Sequence, residues 1–367
     1  MTKPTPAKLS LRGCACCGDT LTLSGSQLNR RSVLTGAAAL AFGGFAATCS
    51  DAQPAASPKI PIVDVHHHLA PPAFLTELAK HNMEERVLTS WTPEKSIADM
   101  DASGISTAIL SITEPGIWFG DDNAAVTLAR ACNEYGAKLV AESRGRFGLF
   151  AVLPLPSVDG SLREIEYAFD TLKADGVGLV TSYGDKWLGD PAFAPVMDEL
   201  NRRKAVVYTH PIQPACCRNL IAAVPRAVVE FGTDTTRTIA SIMFTGTASR
   251  CPDIKFIFSH GGGTMPFLIE RFVRLPANNK QAAANVPEGV MPLLWRFYYD
   301  TAQISNAAAV AALTKVVPTT QILFGTDYPF RTSADYVAPL KELFGEADLR
   351  KIESENARAL LPRLRPA

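Results

Sequence analysis

Two histidines lie two residues apart at the point where an apolar segment of the chain ends. The apolar run at 60–63 is followed by an Asp-Val pair and then by His66, His67 and His68. Side chains alternate between the two faces of a β-strand, so His66 and His68 point the same way and His67 points to the other face. Two imidazoles on one face can hold one metal ion. The spacing therefore predicts His66 and His68, and not His67, as a metal-binding pair.

Three further residues of the same chemical types also close apolar runs. His210 ends the run at 205–210, His260 ends the run at 254–260, and Asp327 ends the run at 321–327. Taken alone, each has an ordinary structural role available, such as a capped core histidine or a turn aspartate. Together, imidazoles and a carboxylate at matching strand ends predict a divalent metal site. Zinc suits these donors best, with manganese, iron or cobalt as substitutes.

These residues need a scaffold that brings several strand ends to one place. Eight apolar segments alternate with helical patterns such as Asp122–Ser143, Pro225–Ser249, Thr264–Val273 and Ala347–Leu361. The predicted strands are Ile60–His66, Thr107–Thr113, Phe147–Leu153, Gly176–Thr181, Ala205–His210, Ile254–His260, Phe297–Thr301 and Gln321–Asp327. This order predicts a (β/α)8 barrel, distorted by an insertion at Asn82–Met100. A doubly wound sheet is disfavoured because no Gly-rich phosphate loop follows the first strand.

Composition narrows the class of protein. The chain has 367 residues, of which 47% are hydrophobic, so it is long enough for one large α/β domain. Its formal net charge is zero and it has no basic patch, so a nucleic-acid partner is not expected. No segment reaches the roughly 18 consecutive apolar residues of a membrane span.

The first 58 residues differ from the rest. Arg30 and Arg31 precede a short, weakly apolar stretch and then a Pro/Ala/Ser-rich linker. Paired arginines in this setting predict a twin-arginine export signal and a periplasmic protein, with the barrel domain at 59–367. Cys49 is a poorer candidate for a lipoprotein anchor, because a threonine precedes it. The pattern assigns no role to the cysteines at Cys14, Cys16 and Cys17.

Several motifs, taken as a group, resemble those of a known family. The chain resembles the amidohydrolase superfamily, in the branch of the 2-amino-3-carboxymuconate-6-semialdehyde decarboxylases. The motifs that carry this are VDVHHH at 63–68, THP at 209–211, SHGGG at 259–263 and FGTDYPF at 324–330. Closer similarity is to the 6-methylsalicylate decarboxylases, through ILSI at 109–112, CNEY at 132–135, RFGLFA at 146–151 and LPLP at 153–156.

The resemblance implies a role for each residue of the constellation. It makes His66, His68, His210 and Asp327 the ligands of one divalent ion, zinc with manganese as the alternative. It makes His260 the general acid/base, and Asp327 the second group able to move a proton. Strand 4 ends without the lysine that bridges two metals in many hydrolytic members, so one ion is expected.

The resemblance also implies a substrate, a partner and a reaction. Arg271 matches an arginine that reaches a neighbouring subunit's site to bind a substrate carboxylate, which implies a homodimer. The expected reaction is decarboxylation of a small aromatic or unsaturated acid such as a salicylate. Two rivals are a hydrolase of a lactone, amide or ester that uses the same site, and an exported binding protein without activity. Trp118, Phe119 and Trp295 are candidates either for the walls of a ring-sized pocket or for the hydrophobic core.

Overall fold

The computed structural model describes residues 61–218 and 220–364. The predicted export signal and linker, including Arg30, Arg31 and the cysteines of that segment, lie outside the described residues. Within the described part of the chain, no helix has the length and apolar character needed to cross a membrane.

Eight parallel strands form the barrel, as the sequence predicts. They are β1 Ile62–His68, β2 Ile105–Ser111, β3 Phe147–Val152, β4 Gly176–Val180, β7 Val206–His210, β8 Lys255–Phe258, β9 Tyr298–Asp300 and β10 Ile322–Leu323. Each pairs with the next in chain order, apart from a small antiparallel hairpin inserted after β4, β5 Ser182–Tyr183 and β6 Lys186–Trp187. The fold is a nearly closed (β/α)8 barrel.

The seam between β10 and β1 closes the barrel through individual hydrogen bonds. The Val65 N–H donates to the Phe324 carbonyl at 3.0 Å, and the Asp327 N–H donates to the His66 carbonyl at 2.8 Å. The His68 N–H continues the seam to the Tyr328 carbonyl at 2.7 Å. The polypeptide that follows β10 is therefore fastened directly along the metal-binding end of β1.

Helices connect the strands and cover the outside of the barrel. They are α1 Pro72–Lys80, α2 Arg86–Thr89, α3 Pro93–Ser103, α4 Asp122–Glu142, α5 Val158–Glu166, α6 Ala194–Arg202, α7 Arg226–Phe244, α8 Thr247–Arg250, α9 Ile269–Asn278, α10 Lys280–Asn285, α11 Val290–Leu294, α12 Ala307–Val316, α13 Ala334–Leu343, α14 Glu346–Arg350 and α15 Asn356–Leu360. The insertion at 82–100 contributes α2 and most of α3. It lies between β1 and β2, where the sequence predicts it.

Some predicted elements are shorter in the structure. β8 ends at Phe258 and β10 at Leu323, so neither strand reaches the predicted ends at His260 and Asp327. These two residues have φ angles of 53° and 62°, which a strand cannot accommodate. The helix predicted at 264–273 begins at 269, since the residues before it form turns. The helix predicted at 225–249 is broken at Gly246, whose φ of 84° ends α7.

The interior of the barrel is filled by side chains from alternate positions of its strands. Val63 and Val65 of β1 pack in one buried cluster with Tyr208 of β7, Ile257 of β8 and Leu361. Leu361 directly follows α15, so the end of the chain packs into the same cluster. His210 lies two residues after Tyr208 on β7, so its side chain points to the same interior face. It does so at the carboxyl end of the strand, where barrel enzymes hold their active sites.

Candidate metal centre

An extra residue in β1 decides which histidines reach the barrel interior. Asp64 and His67 of β1 pair with residues 108 and 110 of β2, so three steps along β1 match two along β2. Such a bulge shifts the alternation of side chains by one position. Val63 and Val65 face the interior before it, and His66 and His68 face the interior after it. Regular alternation would have sent His67 inward instead.

His67 is held on the other side of the strand, as the sequence predicts. Its Nδ1 lies 3.0 Å from Oδ2 of Asp64 and its Nε2 lies 3.1 Å from the Ser96 hydroxyl. Asp64 also accepts the N–H groups of His66 and Thr326, at 3.0 and 3.1 Å. This buried network fixes the bulge from behind and ties β1 to the seam.

Four buried side chains converge at the ends of the strands. His66, His68, His210 and Asp327 each present one nitrogen or oxygen, and these atoms all lie within 4.8 Å of one another. Nε2 of His66 lies 3.1 Å from Nε2 of His68, and Oδ1 of Asp327 lies 3.1 Å from each. Such spacing fits atoms that each lie about 2.0–2.2 Å from one common ion. The arrangement forms a single candidate site for a divalent metal.

Asp300, at the end of β9, orients the cluster, and the sequence reasoning missed it. Its Oδ2 lies 2.8 Å from Nδ1 of His66, and its Oδ1 accepts the N–H groups of His260 and Ala302 at 2.9 and 3.0 Å. A carboxylate on the far nitrogen of a ligating histidine fixes the ring and its tautomer. The signal was available, because Asp300 is the penultimate residue of the strand predicted at 297–301.

The charges of the cluster favour a cation. Burial alone lowers the pKa of His66, but the carboxylates of Asp300 and Asp327 outweigh it and raise that pKa to about 10. Burial lowers the pKa of His68 to about 4 and that of His210 to about 3. The pKa of Asp327 is well below its ordinary value, because interactions with the histidines overcome the effect of its burial. Near neutral pH the cluster therefore offers two neutral imidazoles and a carboxylate, and a bound cation would take the place of the proton on His66.

His260 lies beside the cluster rather than in it. Its Nε2 is 3.5 Å from Oδ2 of Asp327, the oxygen that also accepts a hydrogen bond from the Gln303 amide. Three glycines follow His260. A Cβ added to Gly263 would lie 2.0 Å from the Gly232 carbonyl oxygen of α7. The glycine is therefore required for α7 to pack this closely against the loop that holds His260.

A cavity of about 390 Å³ opens onto the cluster, and we call it the metal cavity. His210 and Asp327 form part of its lining, together with Phe231, Phe330, Gln303, Arg331, Glu114 and Arg226. The Phe330 ring lies edge-on to His68, with the centroids 5.9 Å apart, and the Phe231 ring lies edge-on to His210, with the centroids 6.1 Å apart. The lining combines aromatic walls with charged groups, as is typical of sites for small polar ligands.

The three tryptophan and phenylalanine candidates lie elsewhere. Trp118 and Phe119 line a neighbouring cavity of about 640 Å³, which shares Glu114 and Arg226 with the metal cavity. Trp295 donates its indole N–H to the Val316 carbonyl at 2.9 Å and lines neither cavity. The prediction that Trp295 walls the pocket is wrong, since its indole joins the ends of α11 and α12 instead.

Arg271 is not in the metal cavity of its own chain. It lies on α9, is exposed, and forms no ion pair with any described residue. Thr181, which follows β4, and the Trp187 indole both donate hydrogen bonds to the buried carboxylate of Asp234 on α7. Among the described residues, no second group of histidine, cysteine or acidic side chains is spaced to hold a metal.

Comparison with known families agrees with this geometry. A family model described as amidohydrolase matches residues 63–363, which span the barrel from β1 to the last helix. This chain belongs to the amidohydrolase family.

The amidohydrolase is similar to fungal decarboxylases over most of its length. It is 38% identical over 322 residues to the decarboxylase yanB of Aspergillus niger, covering 82% of this chain and 87% of that protein. It is 33% identical to the 6-methylsalicylic acid decarboxylase of Penicillium expansum, covering 83% of this chain and 97% of that protein. The family resemblance predicted from the motifs is confirmed.

A solved structure with the same fold is the dihydroxybenzoic acid decarboxylase of Polaromonas sp. JS666. That protein was crystallised with manganese and the inhibitor 2-nitroresorcinol. The two superpose with a TM-score of 0.72 at 22% identity, covering 83% of the amidohydrolase and 98% of the other chain. The barrel architecture is therefore shared between them.

The close packing of Gly325 generates a test of how the cluster is positioned. A Cβ added there would lie 2.8 Å from Cβ of His66 and 3.0 Å from Cβ of Asp300. We expect Gly325→Ala to push these two side chains apart and to weaken zinc binding by about 10- to 100-fold, the usual effect of losing a carboxylate behind a ligating histidine. Competitive titration of the metal-free amidohydrolase with a zinc chelator measures the change.

Gly345→Ala is the matched control. A Cβ at Gly345 has nothing within 4 Å, and its φ of −68° suits alanine. Unchanged zinc affinity in a Gly325→Ala variant that is folded by circular dichroism would contradict the assignment of Asp300 and His66 to one positioned unit.

Proposed function

We propose that this amidohydrolase is a metal-dependent carboxy-lyase that removes CO2 from a small hydroxybenzoic acid of the salicylate type. The observation that carries the proposal is the buried cluster of three histidines and Asp327, which opens onto an aromatic-walled cavity with His260 beside it. Support comes from relatives that are 33–38% identical and are named decarboxylases. A hydrolase could use the same cluster, so the reaction has to be tested directly.

We infer that the resident ion is zinc, with manganese as the alternative. Three imidazoles and one carboxylate favour zinc, since imidazole is a common zinc ligand and manganese prefers oxygen. Manganese is the alternative because the Polaromonas decarboxylase was crystallised with that ion. When bound, either ion supplies a positive charge that can hold the oxygens of an acid and withdraw electrons from it. The ligands would be His66, His68, His210 and Asp327.

Loss of CO2 from an aromatic acid leaves an electron pair on the ring carbon, and a proton has to reach that carbon. His260 is the group we assign to deliver it. Its Nε2 faces the cluster, and its main chain is fixed by the hydrogen bond from its N–H to Asp300. Oδ2 of Asp327 lies close enough to hold the His260 ring in place between turnovers. Phe231 and Phe330 supply flat walls against which an aromatic ring can pack.

The direct test is CO2 release from a panel of acids by the metal-loaded protein. We expect turnover of salicylate, 6-methylsalicylate or 2,6-dihydroxybenzoate, and loss of that turnover after chelation, with recovery when zinc or manganese is restored. A parallel panel of lactones, amides and esters serves as the comparison. Hydrolysis of any of these without CO2 release from the acids would replace the carboxy-lyase proposal with the hydrolase.

The position of His260 outside the cluster allows chemistry and metal binding to be separated. We expect His260→Asn to retain its metal and to lose about 10²- to 10⁴-fold in kcat, the usual contribution of a general acid. Asparagine is chosen because it tolerates the positive φ of this position better than alanine does. Metal analysis and CO2 release measure the two effects. Activity close to the wild-type level would exclude His260 as the proton donor.

We further propose that the protein acts as a homodimer in which Arg271 completes the site of the partner subunit. Arg271 is free of ion pairs among the described residues, and Phe267, four residues before it, is 87% exposed. Further exposed apolar side chains are those of Leu220 and Ile221, in the segment that leads into α7, and of Val228, in the first turn of α7. Exposed apolar residues beside an uncommitted arginine are typical of a protein–protein interface.

Mixing two inactive variants tests the dimer and the role of Arg271 together. A dimer of one His260→Asn subunit and one Arg271→Ala subunit contains one site with both residues intact. Random reassociation makes half of the dimers mixed, so we expect about a quarter of the wild-type activity to return. Activity that stays at the sum of the separate variants would show that Arg271 does not act across an interface.

A further inference from the structure

The charged groups that line the metal cavity are mostly committed to one another. Glu85, Glu114, Arg226 and Arg331 line it together with the carboxylate of Asp327. Arg226 donates from Nε to Glu114 and from Nη2 to Glu85, which leaves this trio with a net charge of −1. An acid that enters the cavity therefore meets a negative group as well as the metal cluster.

Arg226 is poorly placed to change partners. Glu114, one of its two carboxylates, also accepts the Gln213 N–H at 2.9 Å. The other carboxylate belongs to Glu85 in the insertion after β1, so the pairing joins that insertion to the first turn of α7. To bind a ligand, Arg226 would have to give up charge-assisted hydrogen bonds, which are the strong ones in proteins. Its role is to hold the wall of the cavity.

Arg331 is the remaining cation of the lining, and it has no carboxylate partner among the described residues. It follows Asp327 by four positions and lines the same cavity as Asp327 and His210. Asp335, four residues after it, instead accepts the Thr332 N–H at 3.1 Å. Arg331 also lines an adjoining cavity of about 320 Å³ with Gln303, Asn306 and Asp335, so this residue borders two cavities.

We propose that Arg331 binds the carboxylate of the substrate from within its own subunit, in addition to Arg271 of the partner subunit, and that it contributes to the selection of an acid over the corresponding neutral phenol. This inference rests on the proposed function, since it assigns a contact to the acid that the carboxy-lyase would consume. A guanidinium presents paired N–H donors whose geometry matches the two oxygens of a carboxylate. Its charge also offsets the negative trio, which lets an anion approach the cluster.

The test compares an acid with the phenol that remains when CO2 is removed. The probes are 6-methylsalicylate and 3-methylphenol, titrated calorimetrically into the zinc-loaded protein in a His260→Asn background, where turnover does not interfere. For Arg331→Gln we expect the Kd of the acid to rise about 10- to 100-fold, the loss expected for hydrogen bonds between charged groups, while the Kd of the phenol stays unchanged. Arg331→Lys keeps the charge but not the paired donors, so its Kd for the acid should lie between those of the parent protein and Arg331→Gln.

Arg163→Gln is the matched control, because Arg163 is an exposed arginine on α5 that lines neither cavity. It should leave both Kd values unchanged. The inference is overturned if Arg331→Gln binds the acid as tightly as the parent protein, or if it loses acid and phenol to the same extent. Because binding is measured without turnover, a failure of the proposed carboxy-lyase activity shows separately, as absence of CO2 release by the wild-type protein.

Discussion

The arrangement of the metal centre depends on one extra residue in β1. Without the bulge between Asp64 and His67, the alternation that places Val63 and Val65 in the barrel interior would continue to His67. Three consecutive histidines would then offer only one imidazole to the interior, and no four-residue cluster would form. The bulge is stable because the Asp64 carboxylate satisfies the main chain and the side chains around it. The bulge in β1 is therefore what allows two of the three consecutive histidines to face the metal cluster.

Two buried carboxylates hold the centre from behind. Asp64 fixes β1 to the segment after β10, and Asp300 joins the ring of His66 to the main chain of His260. Burying a carboxylate is costly unless its oxygens are hydrogen-bonded, and both are fully engaged here. The cost of desolvation is borne when the protein folds, so the groups that surround a substrate need little rearrangement when it binds.

The sequence predicted the features that repeat along the chain. All eight strands and the convergence of His66, His68, His210 and Asp327 follow from periodicity and from residue type at strand ends. The bulge could not be predicted, because it depends on the register between β1 and β2, which a single strand does not encode. Asp300 was not predicted, because the histidine pattern at the strand ends does not indicate which carboxylate supports the ring of a ligating histidine. Trp295 was misplaced because residue type alone does not say which helix–helix contact will use an indole.

His260, Gln303 and Asp327 all adopt the left-handed backbone conformation, with φ between 53° and 62°. Residues other than glycine rarely adopt this conformation, because each one held in it costs roughly 1–3 kcal/mol. Glycine would relax the backbone at any of these positions but would remove a side chain that belongs to the metal cluster or contacts it. Backbone stability and the integrity of the metal cluster therefore favour different residues at the same three positions. Substitutions intended to raise the thermal stability of this enzyme should leave these three strained residues unchanged and should be placed elsewhere in the barrel.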